Sequence, residues 1–254
     1  MGPLDRLSPS KINSFRDCPQ HFAFRYIDGL DEPEDPVMLR GTLVHEVCER
    51  LFDLPPASRT RVTAVALLHR LFERMVDRDP PLRALFDSAE AVWSWLRSAE
   101  RLLDTWFRLE TPAEIDVAGC ELFVETVRDD TVLAGIVDRL DRLPDGTYAI
   151  TDYKTGPAPG PGWELRGFFQ LRFYATVLAD QHGLRVSRLR LVHLGDGGEV
   201  LELALSAQSV AGVDGQIRGL SAAMRRAVDQ GCWVANVGRR CQWCAFRDRC
   251  PAAS

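Results

Sequence analysis

The sequence predicts an α/β protein in which helices come first, followed by a three-strand meander, a helix and a strand pair. Three observations carry that expectation. Apolar residues recur at helical spacing as far as Leu109, and from Ala113 the period changes to alternation. Within the alternating stretch, Asp129-Asp130 and Pro144-Asp145-Gly146 mark turns; in the second, Pro presets φ, Asp bonds back to the backbone and Gly tolerates positive φ. Beyond it, a helix over Trp163–Gln181, ended by Gly183, leads to two alternating runs around Gly195-Asp196-Gly197-Gly198, a hairpin signal.

At 254 residues, 46% of them hydrophobic, the chain can bury one large core, or one core with a helical insertion. We expect one domain over 1–254, with a helical insertion at 55–110 and a cysteine-bearing tail at 232–254. The net charge of −5 excludes a global basic footprint, so any nucleic-acid surface must be local. Lys11 and Lys154 are the only lysines; an Arg-rich set suits phosphate recognition, and genomic composition also produces one. Met1–Ser10 carries no apolar run and no stretch approaches spanning length. The expectation is therefore no signal peptide, no membrane partner and a cytoplasmic location.

Ser8 and Ser10 open the first helix, with Ile12, Phe15, Phe22 and Tyr26 at helical spacing, and Pro19 interrupts or restarts it. The acidic, Pro-containing run from Asp31 to Pro36 reads as a linker or lid. Gly41–Leu54 reads as a helix: Val44, Val47, Cys48 and Leu51 form its apolar stripe, and His45 and Glu49 share another face. Arg61–Arg78 and Ser88–Leu109 are two more amphipathic helices, separated by Pro80-Pro81, whose stripes are core.

Glu114–Val127, Thr131–Leu143 and Thr147–Lys154 are the strands of the meander. The second delivers Asp138. The third delivers Asp152 and Lys154, which leave on one face with Tyr153 on the other. Two carboxylates beside an ammonium can hold a divalent metal and stabilise an adjacent anion. A bare Asp-x-Lys is more often a solvated face. The setting favours chemistry, because apolar runs (Val132, Leu133, Ile136, Val137; Ala149, Ile150) lead into both carboxylates, where unpaired charge is costly. Glu121 and Glu125 lie on the first strand. Arg166, Gln170 and Tyr174 make one polar stripe on a helix otherwise apolar at Phe168, Phe169 and Leu178. Ala207–Gln230 is the last helix.

The seven cysteines are an odd number, which argues against a disulfide framework in a reducing compartment. Cys241-Gln242-Trp243-Cys244, then Cys250, places three thiols in a short Arg-rich tail, a spacing that can fill three of the four corners of a metal centre. Zinc, an iron–sulfur cluster and free thiols all remain open on spacing alone. Cys48, Cys120 and Cys232 read as buried small residues, with Cys232 close enough to the tail to compete as a ligand.

Four groups of residues then occur in one order: Leu7-Ser8 with Cys18-Pro19 and Phe22; Gly41-x-x-x-His45; Gly135-Ile136-Val137-Asp138 followed by Asp152-Tyr153-Lys154-Thr155-Gly156; and Gln170-x-x-x-Tyr174. With these the chain resembles the PD-(D/E)xK nuclease superfamily, in particular its RecB-like branch with a [4Fe–4S] cluster (AddB-type and CRISPR-associated nucleases). The resemblance runs from Leu7 to Cys250, and the inserted helices are its least matched part.

That resemblance implies a restriction-endonuclease-like αβββαβ core, with the inserted helices as a wall over the DNA path. It implies a metal-dependent deoxyribonuclease, leaning towards an exonuclease on single-stranded DNA or DNA ends in repair or recombination. His45, Asp138, Asp152 and the Tyr153 carbonyl would hold Mg²⁺ or Mn²⁺. Lys154 would orient or deprotonate the attacking water, and Glu121 would help to place metal or water. Gln170, Tyr174 and Arg166 would contact DNA. Cys18, Cys241, Cys244 and Cys250 would carry the cluster and staple the two ends of the chain together. The implied partners are DNA and a helicase or recombination partner, since the chain has no Gly-x-x-x-x-Gly-Lys-Ser/Thr phosphate loop of its own. Two readings from other classes stand beside this one. One is a catalytically silent DNA-binding scaffold, against which the complete His/Asp/Asp-x-Lys set argues. The other is a redox or iron sensor built on the cluster.

Overall fold

The computed structural model describes residue 2, residues 4–160 and residues 164–252. Its elements are β1 (Arg6–Leu7), α1 (Pro9–Asp17), α2 (Pro19–Tyr26), α3 (Pro36–Phe52), α4 (Arg61–Arg78), α5 (Ala89–Leu109), β2 (Val117–Arg128), β3 (Thr131–Arg142), β4 (Tyr148–Lys154), α6 (Glu164–His182), β5 (Val186–His193), β6 (Glu199–Ala204) and α7 (Ala207–Gln230). Helix starts follow capping chemistry. The side chains of Ser8, Asp35, Thr60, Ser88 and Ser206 each accept a hydrogen bond from a first-turn N–H. Cys18 is the extended residue at which α1 ends and Pro19 restarts the chain as α2.

Several boundaries depart from the sequence expectation. α3 begins at Pro36 rather than Gly41, because Asp35 caps it and Pro36 suits its first turn. The expected linker is thus shortened to the residues before Asp35. β2 starts at Val117, since Pro112–Glu114 forms a 3-10 turn. The two-residue β1 is too short for any period to announce. Trp163, the expected first residue of α6, and Gly162 of the loop before it lie outside the described residues.

The sheet runs β1-β3-β4-β5-β6, with β2 on the other edge of β3. β2 and β3 form an antiparallel hairpin; β4 and β5 are parallel, joined through α6. β1 and β4 share one edge of β3. β1 pairs with it at Val132 and Leu133, and β4 at Arg139–Arg142. Between them, residues 134–138 have no strand partner on that edge among the described residues. β4 leaves β3 after Thr151 yet stays paired with β5 as far as Lys154. The sheet therefore opens into a fork.

Helices cover both faces. α1, α2, α6 and α7 pack on one through Phe22, Phe169, Phe173 and Met224, with Ile150 and Leu189 from the sheet. α3, α4 and α5 pack on the other through Leu43, Leu68, Leu103 and Trp106, with Tyr153 and Val192. α4 and α5, the helices expected as an insertion, share this layer with α3. Among the described residues, no helix is long and apolar enough to cross a membrane.

Candidate active site

The fork is filled by side chains that replace missing main-chain partners. A methyl group at Gly135 would overlap the Tyr174 ring. The absence of a side chain there lets α6 lie against the unpaired edge of β3, and the Tyr174 phenol bonds to the Ile136 backbone. Further along, the Asp138 carboxylate accepts from the Tyr153 N–H at 2.9 Å, joining β3 to β4 where the ladder has ended. His45 of α3 reaches the same point, with Nδ1 3.4 Å from Asp138 Oδ2, and bonds to the Tyr153 backbone.

Asp152 is 2% exposed and held from two sides. Gln170 Nε2 of α6 donates to Oδ1 at 2.8 Å, and the Lys154 ammonium lies 2.7 Å from Oδ2. Gln170 Nε2 also donates to the Tyr174 hydroxyl at 3.3 Å. Tyr174 is buried and Gln170 half-buried, and they bond to the β3 edge and to the Asp152 carboxylate. The Arg166 side chain lies outside the described residues.

Glu121 falls opposite Asp138 in the β2–β3 register, between the pairs Cys120↔Arg139 and Leu122↔Val137. Its φ is +45°, in the left-handed region, which costs a side-chain-bearing residue about 1–2 kcal/mol. Such strain persists where the surroundings impose it, and it gathers at functional sites. The ligand atoms of His45, Glu121 and Asp138 all lie within 4.8 Å of one another.

The electrostatics follow from this crowding. Burial and then Asp152 push the Asp138 acid well above the carboxylate range. Burial and then Asp138 bring Glu121 to about 7. Burial lowers His45, which favours its neutral, ligating form. For Lys154, burial opposes the charge but Asp152 outweighs it, and the ammonium is stabilised. Three carboxylates thus face one ammonium and one neutral imidazole, and a divalent cation is the species that would balance them. The donors, carboxylate oxygens with one imidazole nitrogen and a nearby carbonyl, fit Mg²⁺ or Mn²⁺. The cleft over these groups holds about 910 Å³ and is also lined by Gly41, Glu46, Glu49 and His193.

The sequence matches the family model of the PD-(D/E)XK nuclease superfamily over residues 6–251. The chain belongs to that superfamily. The solved structure of "Putative exonuclease" from Eubacterium rectale superimposes with a TM-score of 0.60 at 11% identity, covering 94% of this chain and 88% of that one. It shares the fold, so the mixed α/β architecture is that of a restriction-endonuclease-like core. The solved structure of SSO0001 matches with a TM-score of 0.47 at 10% identity, covering 98% of this chain and 87% of that one. No curated protein matches the sequence.

On the far face of the sheet, this PD-(D/E)XK protein carries a second ionic cluster that sequence reasoning missed. Arg139, 0% exposed, makes a two-pronged pair with Glu110 (both N–O distances 2.8 Å) and a 2.8 Å bond to Asp141. It also bonds to the Tyr153 hydroxyl. Arg190 and the Trp106 indole donate to the same Glu110 at 2.7 and 2.8 Å. Burial opposes the Glu110 charge, but Arg139 and Arg190 hold its acid down at about 2. The cluster fixes the ring of Tyr153, the residue whose backbone meets both Asp138 and His45. The available signal is Arg139 and Asp141 two apart on a largely apolar strand; their partner at the end of α5 is a tertiary fact.

His193 was also missed. It is 6% exposed, pairs in register with Lys154 and lines the cleft. Neither ring nitrogen makes a directed hydrogen bond, although the ring lies against the backbone of Gly156 and Pro157.

At the other end of the nuclease, Cys18, Cys241, Cys244 and Cys250 line one pocket with His21 and Phe24. Burial raises the Cys244 thiol, and Cys18, Cys250 and Cys241 are near enough to raise it further. Asn236 N–H and Gly238 N–H donate to the sulfurs of Cys18 and Cys241 at 3.4 and 3.5 Å. An Asp17–Arg240 ion pair also ties the two segments. Among the described residues, no three of these sulfurs fall within 4.8 Å of one another. Two expectations are corrected: Cys232 is exposed and Cys120 half-buried, and neither lines this pocket, while Cys48 is buried. A small thiol carries no pattern that fixes its depth.

Proposed function

We propose that the protein is a RecB-like, divalent-metal-dependent deoxyribonuclease, acting as an exonuclease on single-stranded DNA or DNA ends during repair or recombination. The observation that carries this reading is the convergence of His45, Glu121, Asp138, Asp152 and Lys154 in the fork between β3 and β4. His45, Asp138, Asp152 and the Tyr153 carbonyl would hold Mg²⁺ or Mn²⁺, which would supply Lewis-acid polarisation of the scissile phosphate and a more acidic water. Lys154 orients that water and stabilises the charge that develops on the phosphate. Gln170, itself bonded to Tyr174, fixes the rotamer of Asp152. Glu121 completes the acidic wall opposite Asp138. Exonuclease action is favoured by the described function of the Eubacterium rectale neighbour, taken here as a proposal for this chain. A cytoplasmic helicase or recombination partner would supply the DNA.

In the same reading, Cys18, Cys241, Cys244 and Cys250 hold a [4Fe–4S] cluster that joins the chain's ends. The shared pocket of the four cysteines supports it. Cys241→Ala is expected to remove the brown absorbance and the bound iron and to lower stability, because ligation is coupled to folding. Iron retained at full occupancy would overturn the assignment.

The activity test is cleavage of end-labelled single-stranded and duplex DNA by anaerobically purified protein, with Mn²⁺, Mg²⁺ or EDTA, beside Lys154→Ala. Metal-dependent cleavage lost in the variant supports the reading. DNA bound but uncut by the wild type would favour the silent scaffold instead.

A further inference from the structure

We propose that a second groove, continuous with the metal-site cleft, binds the phosphodiester backbone of the strand being cut through Arg40, Arg101 and Arg108. The proposal rests on the nuclease reading and adds to it the path of the substrate. The groove holds about 560 Å³ and lies between α3, α5 and the β5–β6 turn. It shares Val37, Thr155, Gly156 and Pro157 with the cleft, so the two are one channel with a common sill.

The channel changes sign along its length. The cleft end presents Glu46, Glu49 and Glu121. The groove end presents the three arginines, with Asp104 and Asp196 as its acids. Asp104 is already paired, 2.5 Å from Arg61 Nε. Arg101 is exposed and has no carboxylate within ion-pair distance among the described residues. Arg40 is held by a 3.0 Å bond from Nη1 to Ser98, while its buried Nε has no hydrogen-bond partner. Arg108 is steadied by bonds to Thr105 and the Gly197 carbonyl at 3.0 and 3.3 Å. These are positioned guanidinium groups with donors left over, and planar forked donors match phosphate oxygens.

The sill is main chain packed on main chain: a Cβ on Gly195 would meet the Gly156–Pro157 backbone at 2.7 Å. At the same seam sits His193, 6% exposed, with its ring against the backbone of Gly156 and Pro157. Among the described residues the groove is lined by no aromatic side chain, and its forked donors suit phosphate oxygens.

The test is fluorescence anisotropy of a labelled single-stranded DNA oligonucleotide of mixed sequence, in EDTA, across a range of NaCl. Cleavage of the same oligonucleotide in Mn²⁺ is measured in parallel. Arg101→Gln is expected to weaken binding about threefold or more at moderate salt, and the triple Arg40→Gln/Arg101→Gln/Arg108→Gln variant to reduce the slope of log Kd against log salt by about 2, at roughly 0.7 per phosphate. Arg226→Gln on α7 should leave both unchanged. Arg101 is exposed and unpaired, so its single variant stays informative if the triple one folds poorly. Unchanged affinity and slope in an actively cleaving protein overturn the groove and leave the nuclease standing. Arginine-dependent binding without cleavage supports the groove and removes the nuclease. An equal loss in Arg226→Gln, or no binding by the wild type, overturns the groove.

Discussion

Two acidic clusters sit back to back on this sheet, one residue apart in sequence, and they are balanced differently. Around Arg139, Glu110 receives two guanidinium groups and an indole N–H, and its acid is held at about 2. Asp141, at the edge of that network, is raised by burial, which Arg139 only partly offsets. Around Asp138, three carboxylates share one ammonium, and both Asp138 and Glu121 are pushed up. A buried carboxylate that is fully paired becomes a structural part. One left short of positive charge becomes a place for a cation. Arg139 and Asp138 leave the same strand in succession, so a single segment builds the rigid support and the reactive face together.

The comparison can be broken by removing the charge that balances each cluster. Arg139→Met strands Glu110 and Asp141 without their partner, and we expect a loss of about 3–5 kcal/mol in urea denaturation. A near-neutral result would mean that the far cluster does not hold the sheet. Lys154→Ala also strands a buried carboxylate, Asp152, but its ammonium is partly exposed, so the loss in urea denaturation should be smaller than for Arg139→Met while cleavage falls by about 10²–10³-fold or more. Glu110→Gln sharpens the contrast through pH. The folded acid at about 2 lies below its ordinary 4.5, so the charged form contributes about 3 kcal/mol above pH 4.5, and this is lost as the pH falls towards 2. Wild type and variant should differ at neutral pH and converge in acid. A gap independent of pH would show that Glu110 acts by packing alone.

Much of this arrangement is legible in the sequence. Alternation gives the meander, Pro144-Asp145-Gly146 gives the turn between β3 and β4, and a two-residue spacing puts Asp152 and Lys154 on one face. What is not legible depends on pairings that no local pattern encodes. The fork exists because β1 and β4 take separate stretches of one edge of β3, and β1 has only two residues. Glu121 has no local pattern that sets it apart from Glu125; the resemblance alone singled it out, and its positive φ appears only in the fold. His193 joins the cleft through the parallel register of β5 with β4. Arg139 looks like a polar interruption until Glu110 arrives from the end of α5. Gln170 and Tyr174 are visible as a stripe, but the burial of Tyr174 against β3 depends on Gly135, whose missing side chain makes room for its ring.

The smallest effect separates the two clusters most directly. Asp138→Asn keeps an oxygen that can accept from the Tyr153 N–H but removes a charge that burial and Asp152 disfavour. A carboxylate whose folded pKa is raised weakens the fold as it ionises, from its unfolded value upwards. At neutral pH without divalent ions, the amide should therefore stabilise the protein by about 1 kcal/mol, or about 2–4 °C in Tm at this size. Added Mn²⁺ should reverse the order. It raises the wild-type Tm in proportion to the logarithm of its concentration over Kd, and the variant, lacking a ligand, responds weakly. The two melting curves should thus exchange places between EDTA and Mn²⁺. If Asp138→Asn is destabilised in EDTA, as Glu110→Gln is expected to be, then Asp138 is held for structure and the fork is not a cation site.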